Sequence, residues 1–137
     1  DRTKDANIFY VKSVPHDWLF PHMAGAVHHG GAGTTATSLR HALPTLVVPF
    51  GGDQPFWAER VYAAGCGPKA IPRDKLTAEN LAEGLRALIS NPEYTRNAAC
   101  IGEALRNEHG CANAADLIEK AVWDWENGNP AQDVMNI

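Results

Sequence analysis

Cysteine is scarce and irregularly placed. Cys66, Cys100 and Cys111 are the only three in 137 residues. They lie too far apart for a CxxC metal or redox motif, and an odd number suits reduced thiols better than a disulfide framework. The expectation is a cytoplasmic chain with small buried thiols. No block of five or more basic residues occurs, and 12 Lys and Arg against 16 Asp and Glu give a net charge of -4. This excludes a nucleic-acid partner gripped by neutralising its phosphates. Apolar runs are short too: none approaches the ~18 residues that cross a bilayer. The opening Asp-Arg-Thr-Lys-Asp leads into no signal-type stretch, which leaves at most peripheral membrane contact. There is no Asp-x-Asp cluster for a divalent ion, so no metal site is expected. No Gly-Lys-Ser/Thr follows the glycines, which excludes a P-loop.

What is present is ordinary globular composition, 45% hydrophobic and 20% charged, enough for one core but not two at this length. Short apolar runs bounded by turn residues read as strands at Asn7–Val11, Gly25–His28 and Thr45–Pro49, with a weaker one at Lys69–Ile71. Between them, helical segments run over His16–Phe20, Thr34–Ala42 and Pro55–Ala64, the last with proline at a helix-starting position. Such alternation demands parallel pairing, hence an α/β, Rossmann-like sheet with flanking helices.

After Ile71 only helices are expected. Thr77 caps one that ends at Ser90, with Leu81, Leu85, Leu88 and Ile89 on one face. A second starts at Pro92 with the stripe Tyr94, Ala98, Ile101 and Leu105. A third spans Asn113–Trp125, with Leu117, Ile118, Ala121, Val122 and Trp125 inward. Residues 1–125 are thereby expected to form one domain and 126–137 a polar tail without periodicity.

The densest signal is Ala26-Val-His-His-Gly-Gly-Ala-Gly-Thr-Thr-Ala36, a strand running through three glycines into a helix. Such a turn aims unpaired backbone N–H groups and the positive end of the helix dipole at one point, which suits a phosphate, and glycine lets the backbone approach it closely. Thr34 and Thr35 can cap the helix or donate to the same anion. Gly31-Ala-Gly33-Thr-Thr-Ala36 also satisfies the dinucleotide fingerprint, with Asp53 lying 22 residues after Gly31, near the offset of a ribose-binding carboxylate. Two features oppose that reading: His28 and His29 occupy a strand end where a dinucleotide fold wants small apolar residues, and Asp53 arrives in a loop beside Gln54. A neighbouring carboxylate and amide can grip the hydroxyls of a hexose by accepting and donating in fixed directions.

Neighbours on a strand point to opposite faces, so His28 and His29 cannot share a metal. His29 is the candidate to donate a hydrogen bond or charge to a diphosphate leaving group, and His28 is read as a packing residue. His22, His41 and His109 are read as surface or packing residues. A triad of Ser38, His41 and Asp53 can be written down, but nothing in the sequence brings the three together.

Ser13-Val-Pro-His-Asp-Trp-Leu-Phe-Pro21, His28-His-Gly-Gly-Ala-Gly-Thr-Thr35, Leu43-Pro44, Pro49-Phe-Gly-Gly-Asp-Gln-Pro-Phe-Trp57 and Arg60-Val61, in this order, resemble the donor-binding signature of UDP-sugar glycosyltransferases of the GT-B fold. Within them the chain is most similar to the sterol 3-beta-glucosyltransferase branch and related bacterial and fungal lipid or natural-product enzymes. The resemblance covers about Asn7 to Val122. It implies that His29 binds the diphosphate, that Gly31, Ala32, Gly33 and Thr34 supply backbone and hydroxyl donors to the phosphates, that Asp53 and Gln54 read the sugar, and that Ser13 and Val14 line the uracil site. The chain departs from plant members at Ser13, where they have a tryptophan against uracil, at His16, where they have a glutamine, and at Thr37, where they have a ribose-binding glutamate. These departures make a nucleotide diphosphate a firmer expectation than UDP.

The resemblance further implies a carboxy-terminal GT-B half with strand order 3-2-1-4-5-6, of which this chain would hold strands 3 to 6. The acceptor pocket and the catalytic base would lie in an amino-terminal domain outside it. The activity implied is an inverting transfer of glucose from UDP-glucose, a donor substrate and not a cofactor, to a hydroxyl of a sterol or similar lipophilic acceptor, without a metal. Two other readings stay open on the residues: the nucleotide-binding domain of an NAD-dependent oxidoreductase, and a non-catalytic binding module that keeps the nucleotide-sugar fold.

Overall fold

The computed structural model describes residues 6–128, which fall into two units divided after Arg106. In the first, two parallel strands form the sheet. β1 (Ala26–His28) pairs with β2 (Thr45–Val47) in the register Ala26↔Thr45, Val27↔Leu46, His28↔Val47. Ladder-like bonds continue past both ends, from Ala26 N–H to the Pro44 carbonyl and from Val48 N–H to that of His28, each 2.9 Å. The crossover that a parallel pair requires is made by α2 (Ala32–Arg40).

All three residues of β2 are buried, and its far edge is engaged as well. Thr45 N–H donates to the Cys66 carbonyl, while the Ile71 and Arg73 N–H groups donate to the carbonyls of Val47 and Pro49 at 3.0 and 3.1 Å. The fourth strand expected at Lys69–Ile71 is therefore an extended segment bonded to β2 but not a regular strand. Pro68 and Pro72 flank it, and neither has an N–H to give a ladder.

The strand expected at Asn7–Val11 is not formed. Its apolar side chains are exposed, Phe9 to 90%. Among the described residues the sheet consists of β1 and β2 alone, and a segment with no strand bonded to it does not stand as a strand. α1 (His16–Leu19) follows and tightens into a 3-10 turn over Phe20–His22.

Because side chains alternate along a strand, β2 feeds two layers. Leu46 faces α4 (Ala78–Ser90), whose Gly84 passes so close that a Cβ there would come within 2.8 Å of Leu46 Cδ2. Val47 joins a cluster with Leu39 of α2, Ala58 and Val61 of α3 (Gln54–Ala63), Cys66, and Ala98 of α5 (Pro92–Asn107). Each buried leucine or valine side chain contributes about 2 kcal/mol. Thr77 caps α4 as expected, in a capping box with Asn80. The face that α4 presents runs through Leu81, Gly84 and the buried Leu88. Leu85 and Ile89, expected inward, lie ~100° round the helix from Gly84 and Leu88 and are exposed. On α5 the expected stripe is covered in part: Ala98 is buried, while Tyr94, Ile101 and Leu105 are half-buried. Cys100 falls opposite Ala98 and is exposed, as is Cys111, so only Cys66 is the buried thiol expected of all three. Burial, with Cys100 nearby, raises the Cys66 pKa to about 11.

The second unit contains α6 (Gly110–Glu126). Its expected inward stripe is exposed, Leu117 to 63% and Trp125 to 81%. One helix has no second layer of its own against which to bury an apolar face. Of the expected polar tail, Glu126 ends α6, Asn127 and Gly128 form a turn, and residues 129–137 lie outside the described ones. Among the described residues no helix is long and apolar enough to cross a membrane.

Candidate functional site

The turn after β1 is built by its backbone. Gly30 has φ +89, a left-handed conformation that L side chains rarely adopt. It is buried, and a Cβ on it would sit 2.5 Å from Val47 Cγ1 and 3.2 Å from the Gln54 carbonyl. The turn is thus wedged between β2 and the start of α3. Gly31 is the N-cap of α2, with no side-chain cap bond. The helix starts on the glycine turn itself, two residues before the expected Thr34, and its first bond is Thr35 N–H to the Gly31 carbonyl at 2.9 Å. The first-turn N–H groups of Ala32, Gly33 and Thr34 have no intrahelical acceptor. They point away from the helix at its positive end.

The histidines divide as the strand geometry requires. His29 is exposed, and its ring folds over Gly31: a Cβ there would meet His29 Nε2 at 2.6 Å. His28 is turned inward. Its Nδ1 accepts the Gly30 N–H at 3.0 Å, while its Nε2 is buried without a partner. Burial, reinforced by the charges of His29 and His16, lowers the His28 pKa from 6.5 to about 4. The ring is neutral at physiological pH, with its proton on Nε2.

Side chains, in contrast, build the loop after β2. Gln54 Oε1 accepts the N–H groups of Phe50 and Gly51 at 2.8 and 3.3 Å. Those two donors need an acceptor, which orients the amide so that its NH2 group is left over. Asp53 Oδ2 accepts the Trp57 indole N–H at 2.9 Å, one helical turn along. This leaves Oδ1 open on an exposed residue. The Gly30 contact with the Gln54 backbone sets this loop beside the glycine turn.

Other expected site residues are placed less directly. Thr34 is half-buried near the start of α2. Thr35 is buried, with its hydroxyl unpartnered, and does not cap the helix. Ser13 is exposed and Val14 half-buried just before α1. No described contact joins either of them to the glycine turn. α1 is tied to α2 instead: His16 stacks on Phe20 at 4.5 Å, Phe20 meets the His41 ring edge-on at 5.8 Å, and His41 bonds to the Thr37 carbonyl and faces Asp17. His41 is a packing residue, as expected. The Thr37 hydroxyl donates to the Gly33 carbonyl. The paper triad does not assemble, since Ser38 donates to Thr34, His41 contacts Thr37, and Asp53 holds Trp57.

Two residues escaped the sequence reading. Trp57 orients Asp53, and its i,i+4 spacing from Asp53 was the available signal. His28 holds Gly30, which only the chain's path after β1 reveals. A cavity of about 520 Å³ also opens between α2, α3 and α5, bounded by Ala36, Leu39, Trp57, Val61, Ile101 and Leu105. His29, Asp53 and Gln54 are not in its lining.

Residues 3–119 match the family described as Erythromycin biosynthesis protein CIII-like, C-terminal domain. Among individual relatives, a sterol 3-beta-glucosyltransferase of Arabidopsis thaliana is 46% identical over 83% of this chain and 18% of its own length. One of Pichia angusta is 43% identical over 81% of this chain and 9% of its own. The chain thus spans less than a fifth of either relative. Among solved structures, the glycosyltransferase VinC in complex with dTDP superposes with a TM-score of 0.70 at 33% identity, over 74% of this chain and 26% of that one. The glycotransferase of kitacinnamycin gives 0.71 at 30% identity, over 79% and 28%.

Proposed function

Because the chain belongs to the erythromycin biosynthesis protein CIII-like C-terminal domain family, we propose that it is the donor-binding part of an inverting glycosyltransferase, one that transfers glucose from UDP-glucose to a hydroxyl of a sterol or similar lipophilic acceptor. The observation that carries the proposal is the turn after β1. There the free first-turn amides of α2 and the exposed His29 ring converge beside a loop whose Asp53 and Gln54 keep polar groups to spare. In this reading residues 1–125 form the donor domain and 126–137 a polar tail. The donor lies across the carboxyl ends of β1 and β2, where open parallel sheets bind ligands.

The chemistry is a direct displacement at the anomeric carbon. A base outside this chain takes the acceptor proton, the acceptor oxygen bonds to the sugar, and the bond to UDP breaks. Negative charge then grows on the departing diphosphate, where the α2 amides and His29 receive it. Asp53 Oδ1 and the Gln54 NH2 group accept from and donate to the sugar hydroxyls. Ser13 and Val14 stand toward the uracil. The dinucleotide alternative finds no support, because the relatives and solved structures above are all glycosyltransferases. The same reading places the enzyme in the cytoplasm, touching membranes at most peripherally to meet a lipophilic acceptor.

Calorimetry on the full-length enzyme that contains this chain tests the proposal. UDP and UDP-glucose are expected to bind and NAD to give no heat. Binding of NAD without UDP would overturn it.

A further inference from the structure

The buried N–H of Gly30 lies in a left-handed residue wedged against Val47 and Gln54, so no strand or helix ladder reaches it. Its partner is the ring nitrogen of the residue two places earlier, His28 Nδ1, at 3.0 Å. A buried amide left without an acceptor is costly, so this bond favours the path the turn takes. The path matters beyond Gly30. The next residue, Gly31, carries the His29 ring on its open face and caps α2. A shift of the turn would therefore move His29 and the amides of Ala32, Gly33 and Thr34 together. The bond needs an unprotonated Nδ1, since a proton there would set N–H against N–H. The other ring nitrogen is buried and bonds to nothing, so the ring has no second polar anchor.

We propose that His28 is a positioning residue of the donor site: its Nδ1 lone pair holds the Gly30 amide and thereby aims His29 and the first turn of α2 at the leaving diphosphate. The proposal rests on the glycosyltransferase reading above. The depressed basicity of the ring, caused first by burial and then by the charges of His29 and His16, keeps the lone pair available throughout the neutral range. Packing alone asks only for a side chain of similar volume, whereas positioning asks for an acceptor at the δ position. Asparagine supplies one at that position; glutamine supplies one a bond further out, and alanine none.

The test is steady-state kinetics of the full-length enzyme with His28→Asn, His28→Gln and His28→Ala, alongside nitrogen-15 NMR of the wild-type His28 ring. His28→Ala and His28→Gln are expected to lower kcat about tenfold or more with the donor KM changed less than about threefold, as for a group acting on the departing charge. His28→Asn is expected to recover most of that loss. The ring should show the Nε2–H tautomer with an accepting Nδ1. Equal activity of the Asn and Gln variants, high or low, would overturn the proposal, and so would an Nδ1–H tautomer. The NMR arm decides even where a variant fails to fold or the wild-type enzyme turns over no UDP-glucose. That last outcome would count against the function and not against the His28–Gly30 contact.

Discussion

The loops that leave β1 and β2 sit side by side and are built in opposite ways. After β1 the chain uses backbone: a left-handed glycine, a helix that starts without a side-chain cap, and a neutral imidazole whose bond goes to an amide. After β2 it uses side chains: a glutamine that ties two backbone N–H groups and a tryptophan that turns a carboxylate. The first loop is left with N–H groups to offer, which suit an anion of any identity. The second is left with one carboxylate oxygen and one amide NH2, which suit hydroxyls in a set arrangement. Under the proposed function, this difference would give the leaving group to one loop and sugar selection to the other.

The sharpest way to test this division is His29→Ala in the full-length enzyme. Turnover should fall by up to about 3 to 4 kcal/mol in barrier, the worth of one donor to a developing negative charge, with a smaller change in UDP affinity. An unchanged kcat would move His29 out of the first loop's function. Next comes Gly30→Ala, which forces a left-handed alanine and drives its methyl into Val47. The combined strain and overpacking should cost about 3 kcal/mol of stability, read as a lower denaturant midpoint. Gly51, by comparison, has open space where its Cβ would be, and Gly51→Ala should leave the midpoint nearly unchanged.

Acid should separate the loops further. The folded pKa of His28 lies near 4 and its unfolded value near 6.5. Between these values the unfolded chain takes up a proton that the folded turn refuses. Stability present above pH 6.5 is therefore lost as pH falls toward 4, by about 2 kcal/mol once the solvent screening of a half-buried ring is allowed for. His28→Asn should lack this component, and identical pH profiles for the two proteins would disprove it. The smallest effect belongs to the second loop. Asp53→Ala should weaken UDP-glucose by about 1 to 2 kcal/mol by leaving a sugar hydroxyl unpaired, while UDP binds as before. Equal losses for both ligands, measured by calorimetry, would erase the division between the loops.

Much of this arrangement is legible in the residues. Gly30, Gly31 and Gly33 between an apolar strand and Thr34 announce a strand-to-helix turn, because few other sequences tolerate that path, and Thr77 marks the start of α4. What the sequence hides is partnership. The apolar run Ile8–Val11 is a sound strand pattern, yet a strand exists only where a neighbouring strand bonds to it. The stripe on α6 is sound as an amphipathic face, but periodicity says nothing of what covers it. Leu85 and Ile89 show a milder form of the same limit: a glycine, Gly84, decides which side of α4 meets the sheet, and hydrophobic patterning assigns glycine no weight. At the site, strand alternation separated His28 from His29 correctly. The bond from His28 to Gly30 depends on a positive φ that no side-chain pattern encodes.

That bond has a further consequence, in time instead of energy. The Gly30 amide is buried and held by a ring, outside the ladders of β1, β2 and α2. Its exchange with deuterium therefore requires only that the turn open, while the amides of β2 must wait for the sheet itself to part. At alkaline pH, where intrinsic exchange outpaces reclosing, the Gly30 exchange rate equals the frequency with which the turn opens, with no substrate present and no residue changed.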